Sequence, residues 1–119
     1  MKIIGHRLIK FDYFTMVENP REMVGVNNLL FKFDESLIEK AINKEFSVIA
    51  KDTREIVLAN AFGAKFIILN DESLAKEAME LAEYYLFDSK IALIIENESE
   101  LQNAINLRVD TVIYKAAIL

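Results

Sequence analysis

Short runs of consecutive apolar residues alternate along the chain with stretches that are apolar on one side only. The runs Leu29–Phe33, Ser47–Ala50, Lys65–Leu69, Ile91–Ile95 and Thr111–Tyr114 are strand-sized and lack a strict apolar–polar alternation. Strands of that kind are covered on both faces, as in a parallel sheet. Between them lie helical patterns, predicted over Glu35–Lys44, Thr53–Phe62, Glu72–Phe87 and Ser99–Leu107. The longest carries Leu74, Ala78, Leu81, Ala82 and Tyr85 on one stripe, the spacing of an amphipathic helix. Gly63 is placed to stop the second helix. Ahead of these units the pattern predicts a strand over Ile3–Ile9, a second over Tyr13–Val17 (an independent strand or the second arm of a hairpin), and a helical turn over Arg21–Val24.

The units are related to one another. The segment starting at Val48 (Val48-Ile49-Ala50-Lys51-Asp52-Thr53-Arg54-Glu55-Ile56) aligns with that starting at Leu93 (Leu93-Ile94-Ile95-Glu96-Asn97-Glu98-Ser99-Glu100-Leu101), and Ile67-Ile68 then meets Val112-Ile113. Weaker copies begin at Met16 and Phe31. In each, Asn or Asp stands where a strand gives way to a helix: Asn19, Asp34, Asp52 and Asn97. A short side-chain oxygen there accepts a free amide of the first helical turn. Glu22, Glu55 and Glu100 follow three residues later, the spacing of a capping box, and acidic residues in the first turn suit the helix dipole. Pro20 sits at the first helical position, where its missing N–H costs nothing.

Strand–helix units of this length resemble those of (β/α)8 barrels. The run VIAKDTREIVLANAFGAKFIIL, residues 48–69, is similar to one unit of a small-molecule aldolase or phosphate-binding barrel, and the chain as a whole resembles small bacterial α/β proteins built from such units. A full barrel takes about 250 residues, so the resemblance implies half of one. No Gly-rich phosphate loop is present, since Gly5, Gly25 and Gly63 are scattered, and no motif of a characterised family is recognised. The expected fold is a single α/β domain over residues 1–119 with a mainly parallel sheet and right-handed crossovers. Two architectures fit. With every helix on one face, the sheet curls into a half-TIM-barrel whose inner face calls for a partner, such as a second copy. With the winding reversed midway, it becomes a flavodoxin-like three-layer fold. The latter closes as a monomer, which favours it.

Composition narrows the function classes. The chain has 119 residues, is 53% apolar and contains four Gly and Pro together with three and one of each, so it can bury a core rather than remain disordered. Its net charge of −5, with Lys and Arg spread among acids, argues against binding nucleic acid and against docking on an anionic membrane. There is no cysteine, hence no disulfide framework or thiolate chemistry; a reducing cytoplasm fits. No apolar run is long enough to cross a bilayer. No cofactor and no metal are expected, because no D-x-D-x-D-G run appears and His6 is the only histidine. His6 has no nucleophile motif beside it and reads as a packed, hydrogen-bonded residue.

Ligands of parallel sheets bind at the carboxyl ends of the strands. Glu18, Asp34, Lys51, Asp52, Asn70, Asp71, Glu96, Asn97 and Lys115 fall there. As a ligand site, Lys51, Asp52, Glu96, Asn97 and Lys115 are the candidates: the lysines for an anion or a Schiff base, the carboxylates for proton transfer. Helix capping accounts for the same Asp and Asn positions without any ligand. A phosphoacceptor role for Asp52, as in receiver domains, is weakened by Ile9-Lys10 where an acidic pair would be needed. The candidate interaction surface is Tyr84, Tyr85 and Phe87 at the end of the longest helix with Ile118 and Leu119 of the apolar tail, because consecutive bulky residues on a helix cannot all face one core. The expectation is a non-enzymatic interaction or scaffold domain that self-associates as a homodimer; the alternative is a binder of a small anionic molecule, or a minimal enzyme, using the strand-end rim.

Overall fold

A computed structural model describes all of residues 1–119. Seven strands, β1 (Lys2–Ile4), β2 (Thr15–Met16), β3 (Leu29–Lys32), β4 (Phe46–Ile49), β5 (Phe66–Leu69), β6 (Lys90–Ile95) and β7 (Thr111–Tyr114), form one sheet in which every pairing is parallel. Four helices connect them: α1 (Glu35–Ala41), α2 (Thr53–Ala61), α3 (Glu72–Tyr85) and α4 (Leu101–Leu107). The chain is therefore an α/β protein of βα units, as its apolar pattern predicts.

The strand order is β1-β7-β6-β5-β4-β3-β2. From β2 to β7 each strand is laid beside its predecessor, always in the same direction. With right-handed crossovers, a winding that never reverses puts every helix on one face. The core reflects this. Leu37, Ile38 and Ala41 of α1, Ile56 and Ala59 of α2, Ala75 and Ala78 of α3, and Ala104 of α4 all join a single cluster with the outward side chains of the strands, among them Phe31, Val48, Ile67, Leu93 and Val112. The flavodoxin-like arrangement, which the monomer argument favours, is thereby replaced by the curled half-barrel.

The inner face is not left bare. Leu30, Phe66, Ile68, Ala92 and Ile113 point inward and pack with Ile4, Phe14 and Ala117, against which Phe11, Met16 and Ile118 also lie. The cover comes from the chain's own two terminal segments. After β7 a 3-10 turn, Lys115–Ala117, carries the chain across to β2, where Ile118 bridges Phe14 in parallel. Phe14 N donates to the Ala117 carbonyl at 2.9 Å, and Leu119 N to the Phe14 carbonyl at 2.9 Å. The apolar tail thus docks on its own domain.

Most boundaries move by one to three residues from the sequence expectation, as at the end of α1, and three elements change more. The first strand ends at Ile4 rather than Ile9, because Gly5 turns the chain at φ +102°. His6 consequently lies in a loop and not on a strand face. The Tyr13–Val17 strand shortens to Thr15–Met16 and pairs with β3 in parallel, so it is no hairpin arm. The helix expected over Ser99–Leu107 opens with a 3-10 turn at Glu98–Glu100. No helix is long and apolar enough to cross a membrane.

Candidate functional site

The carboxyl ends of the strands are built by one repeated local device. Asn19 accepts from Arg21 N, Asp34 from Ser36 N, Asp52 from Glu55 N, Asp71 from Leu74 N and Asn97 from Ser99 N. In three of the units a glutamate reaches back from the first turn. Glu22 Oε1 accepts from Glu18 N at 3.0 Å, Glu55 Oε1 from Lys51 N at 2.9 Å, and Glu100 Oε2 from Glu96 N at 2.6 Å. Each clamp satisfies an amide of the strand end as well as one of the helix start, so the strand-to-helix corner is held from both sides. Asp34 also accepts the Ser36 hydroxyl at 2.6 Å. That bond, with those from the Ser36 and Leu37 amides, holds its carboxyl below the ordinary aspartate range.

Two adjoining depressions occupy this end of the molecule. The outer one, about 730 Å³, lies over the ends of β3, β4 and β5. Its polar lining is mixed in charge, Lys32 and Lys51 with Glu55, Asp71 and Glu77 and the neutral Asn70 and Ser73, and Phe33 and Leu74 form part of its apolar wall. The inner one, about 570 Å³, is the mouth of the curled sheet. Its floor is Met16, Leu30, Ile49, Ile94 and Ile118, and its rim carries Glu96, Glu100 and Lys115. Ile49 and Asn70 line both.

The five candidate residues are distributed across this surface. Glu96 and Lys115 meet, Oε1 to Nζ 3.7 Å, at the mouth, with both side chains largely exposed. Lys51 lies in the outer depression. Asp52 and Asn97 stand between strand and helix with their oxygens accepting capping hydrogen bonds. The outer depression also includes Lys32, which the sequence reading passed over. The signal was available: Lys32 follows Leu30 by two positions on a strand, so it shares the inward side of Leu30 at the strand's open end.

The charges are unevenly satisfied. Lys115 pairs with Glu96, and Lys65, at the opposite end of the sheet, with Glu45 at 2.5 Å. Lys32 and Lys51 take part in none of the ion pairs. Asp71 is committed to capping α3, whereas Asn70 and Ser73 beside it present free polar groups to the depression. No three imidazole or carboxylate groups gather closely enough to hold a metal ion.

A separate cluster surrounds His6. Its Nε2 lies 2.7 Å from Glu98 Oε1, its Nδ1 accepts from Leu8 N at 3.1 Å, and its ring meets Tyr114 edge-on at 5.9 Å. An Nδ1 that accepts an amide proton carries none itself, so the neutral ring is the Nε2–H tautomer. The Tyr114 hydroxyl is buried without a partner. Burial first, and the Glu98 carboxylate second, push it above the usual tyrosine range.

The candidate interaction residues divide. Tyr84 and Tyr85 are 80% and 61% exposed, and Leu86 beside them is 84% exposed. Phe87 instead turns inward against the main core, and Ile118 against the inner cluster. Leu119 is exposed, with its amide held by Phe14.

Comparison with protein-family models, with curated proteins and with solved structures found no match.

Proposed function

We propose that this chain binds a small anionic molecule at the carboxyl ends of its strands. The observation that carries the reading is the pair Lys32 and Lys51, both lining the outer depression and neither engaged in an ion pair. These two ammonium groups, beside the side chains of Asn70 and Ser73, offer donors to an anion; of the carboxylates in the same lining, Glu55 and Asp71 accept hydrogen bonds from backbone amides at the strand-to-helix corners and Glu77 stands further along α3. The volume suits a small ligand, and the wall of Phe33 and Leu74 supplies the apolar share usual for such sites.

The test is a thermal-shift series with inorganic phosphate, sugar phosphates, nucleotides and dicarboxylates on the wild type and on Lys32→Ala/Lys51→Ala. A ligand present at 100 times its Kd stabilises the fold by about 2.7 kcal/mol, and the double variant loses that shift. No shift with any anion, or an undiminished shift in the variant, overturns the reading.

A second reading is self-association as a homodimer, favoured by Tyr84, Tyr85 and Leu86, three consecutive bulky side chains left to solvent. Aromatic residues are enriched at interface centres. Because Phe14, Ala117 and Ile118 already cover the inner sheet face, a dimer would not need that face and would use this helix end. Light scattering across micromolar concentrations tests it: a strict monomer overturns it, and a dimer abolished by Tyr84→Ser/Leu86→Ser supports it.

A further inference from the structure

Resting on the anion-binding reading, we infer that the ligand is a two-part molecule: a compact anionic head in the outer depression joined to an apolar body in the mouth of the sheet. The two depressions adjoin: Ile49 and Asn70 line both, so a molecule seated on Lys32 and Lys51 and long enough to pass the Ile49 side chain would reach the mouth. The two halves differ in chemistry.

In the outer half the cations are unpaired. In the mouth the charges are already spoken for: Glu96 meets Lys115 at 3.7 Å, and Glu100 Oε2 accepts from the Glu96 and Asn97 amides at 2.6 and 3.2 Å. What the mouth still offers is its floor of Met16, Leu30, Ile49, Ile94 and Ile118. An apolar floor open to water gains by being covered. A free phosphate would leave it wet, and a neutral hydrocarbon would leave the lysines unmatched. An aryl or short alkyl chain carrying a phosphate or carboxylate satisfies both.

The probe is phenyl phosphate, compared with inorganic phosphate by NMR titration of the full chain. Phenyl phosphate should shift the amides of Lys32, Lys51 and Asn70 together with the methyls of Ile49, Ile94 and Ile118. It should bind at least about tenfold more tightly than inorganic phosphate, since a fraction of a ring's buried area supplies that factor. Ile94→Thr should reduce the advantage of phenyl phosphate and leave the phosphate affinity unchanged. Met16→Ser is the second variant, should Ile94→Thr not fold. If both probes bind with equal affinity, or the mouth methyls stay still, the two-part ligand is overturned while the anion site stands. If neither probe binds, the anion reading falls and takes this inference with it.

Discussion

Phe14 and Ile118, from opposite ends of the chain, lie side by side in a parallel bridge on the inner face of the sheet. The Phe14 ring stands edge-on to Phe66 of β5, centroids 5.9 Å apart, and is almost entirely buried. This contact turns a curled sheet with one open face into a filled one. Phe14→Ala removes the largest fully buried side chain covering that face and should destabilise the fold by about 3–5 kcal/mol, while Phe14→Leu should cost less. Urea denaturation of the two variants checks it; near-neutral behaviour of Phe14→Ala would mean the inner cluster contributes little.

Gly5 ends β1 with φ +102°, and a Cβ there would stand 2.8 Å from the Tyr114 Cβ and 3.0 Å from the Ala117 Cβ. Backbone conformation and space both require glycine. Gly5→Ala should therefore be strongly destabilising. Gly63, also at positive φ (+91°) but with nothing within 4 Å, provides the control: Gly63→Ala should carry the backbone cost alone. Equal losses in thermal denaturation would contradict the steric part of this account.

Glu55 and Glu22 perform the same back-reaching hydrogen bond in different surroundings. Glu55 is 5% exposed and Glu22 is on the surface. Glu55→Ala should cost about 1–3 kcal/mol, because the Lys51 amide loses its acceptor in a part-buried corner. Glu22→Ala should cost less, since water can replace the carboxylate at Glu18 N. Glu55→Gln keeps an oxygen in place and should recover most of the loss. Chemical denaturation of the three variants decides it.

Asp34 supplies a pH dependence of known sign. Its folded value is depressed by the Ser36 hydroxyl and amide bonds. The contribution is therefore present at neutral pH, where both folded and unfolded forms are ionised, and is lost as acidification passes through the folded value. Asp34→Asn retains a capping oxygen but does not titrate. The stability of the wild type relative to Asp34→Asn should fall as pH is lowered below the ordinary aspartate range. A difference constant with pH would show that Asp34 is not stabilised in its charged form.

Much of the fold was legible in the chain because the signals were local. Thr111–Tyr114 is found as read, and Asp34, Asp52 and Asn97 cap helices as their spacing implies. The Ile3–Ile9 strand was misjudged because apolar residues continue past Gly5, and only the close approach of Tyr114 shows why the chain must turn there. The choice between covering one face and both was not legible: strands apolar on both sides read alike whether the second cover is a layer of helices or a strap such as Phe14 and Ile118. At the candidate site, Lys51, Glu96 and Lys115 could be placed from strand ends. The absence of an ion pair at Lys51, the presence of one at Lys115, and the meeting of His6 with Glu98 depend on contacts between distant segments.

The pairing of Phe14 with Ile118, and of β1 with β7, also sets an order of events during folding. From β2 to β7 each strand joins the one made just before it, so this part can assemble stepwise as the chain leaves the ribosome. The inner cluster cannot: it is completed by Ala117 and Ile118, which follow β7 and lie far from Phe14 in sequence, and such distant contacts form slowly. Until then Leu30, Phe66, Ile68 and Ala92 are covered only from the Phe11–Phe14 side, and part of the apolar trough stays open. Nascent chains stalled before Ala117 should be the species most prone to aggregate and to recruit chaperones.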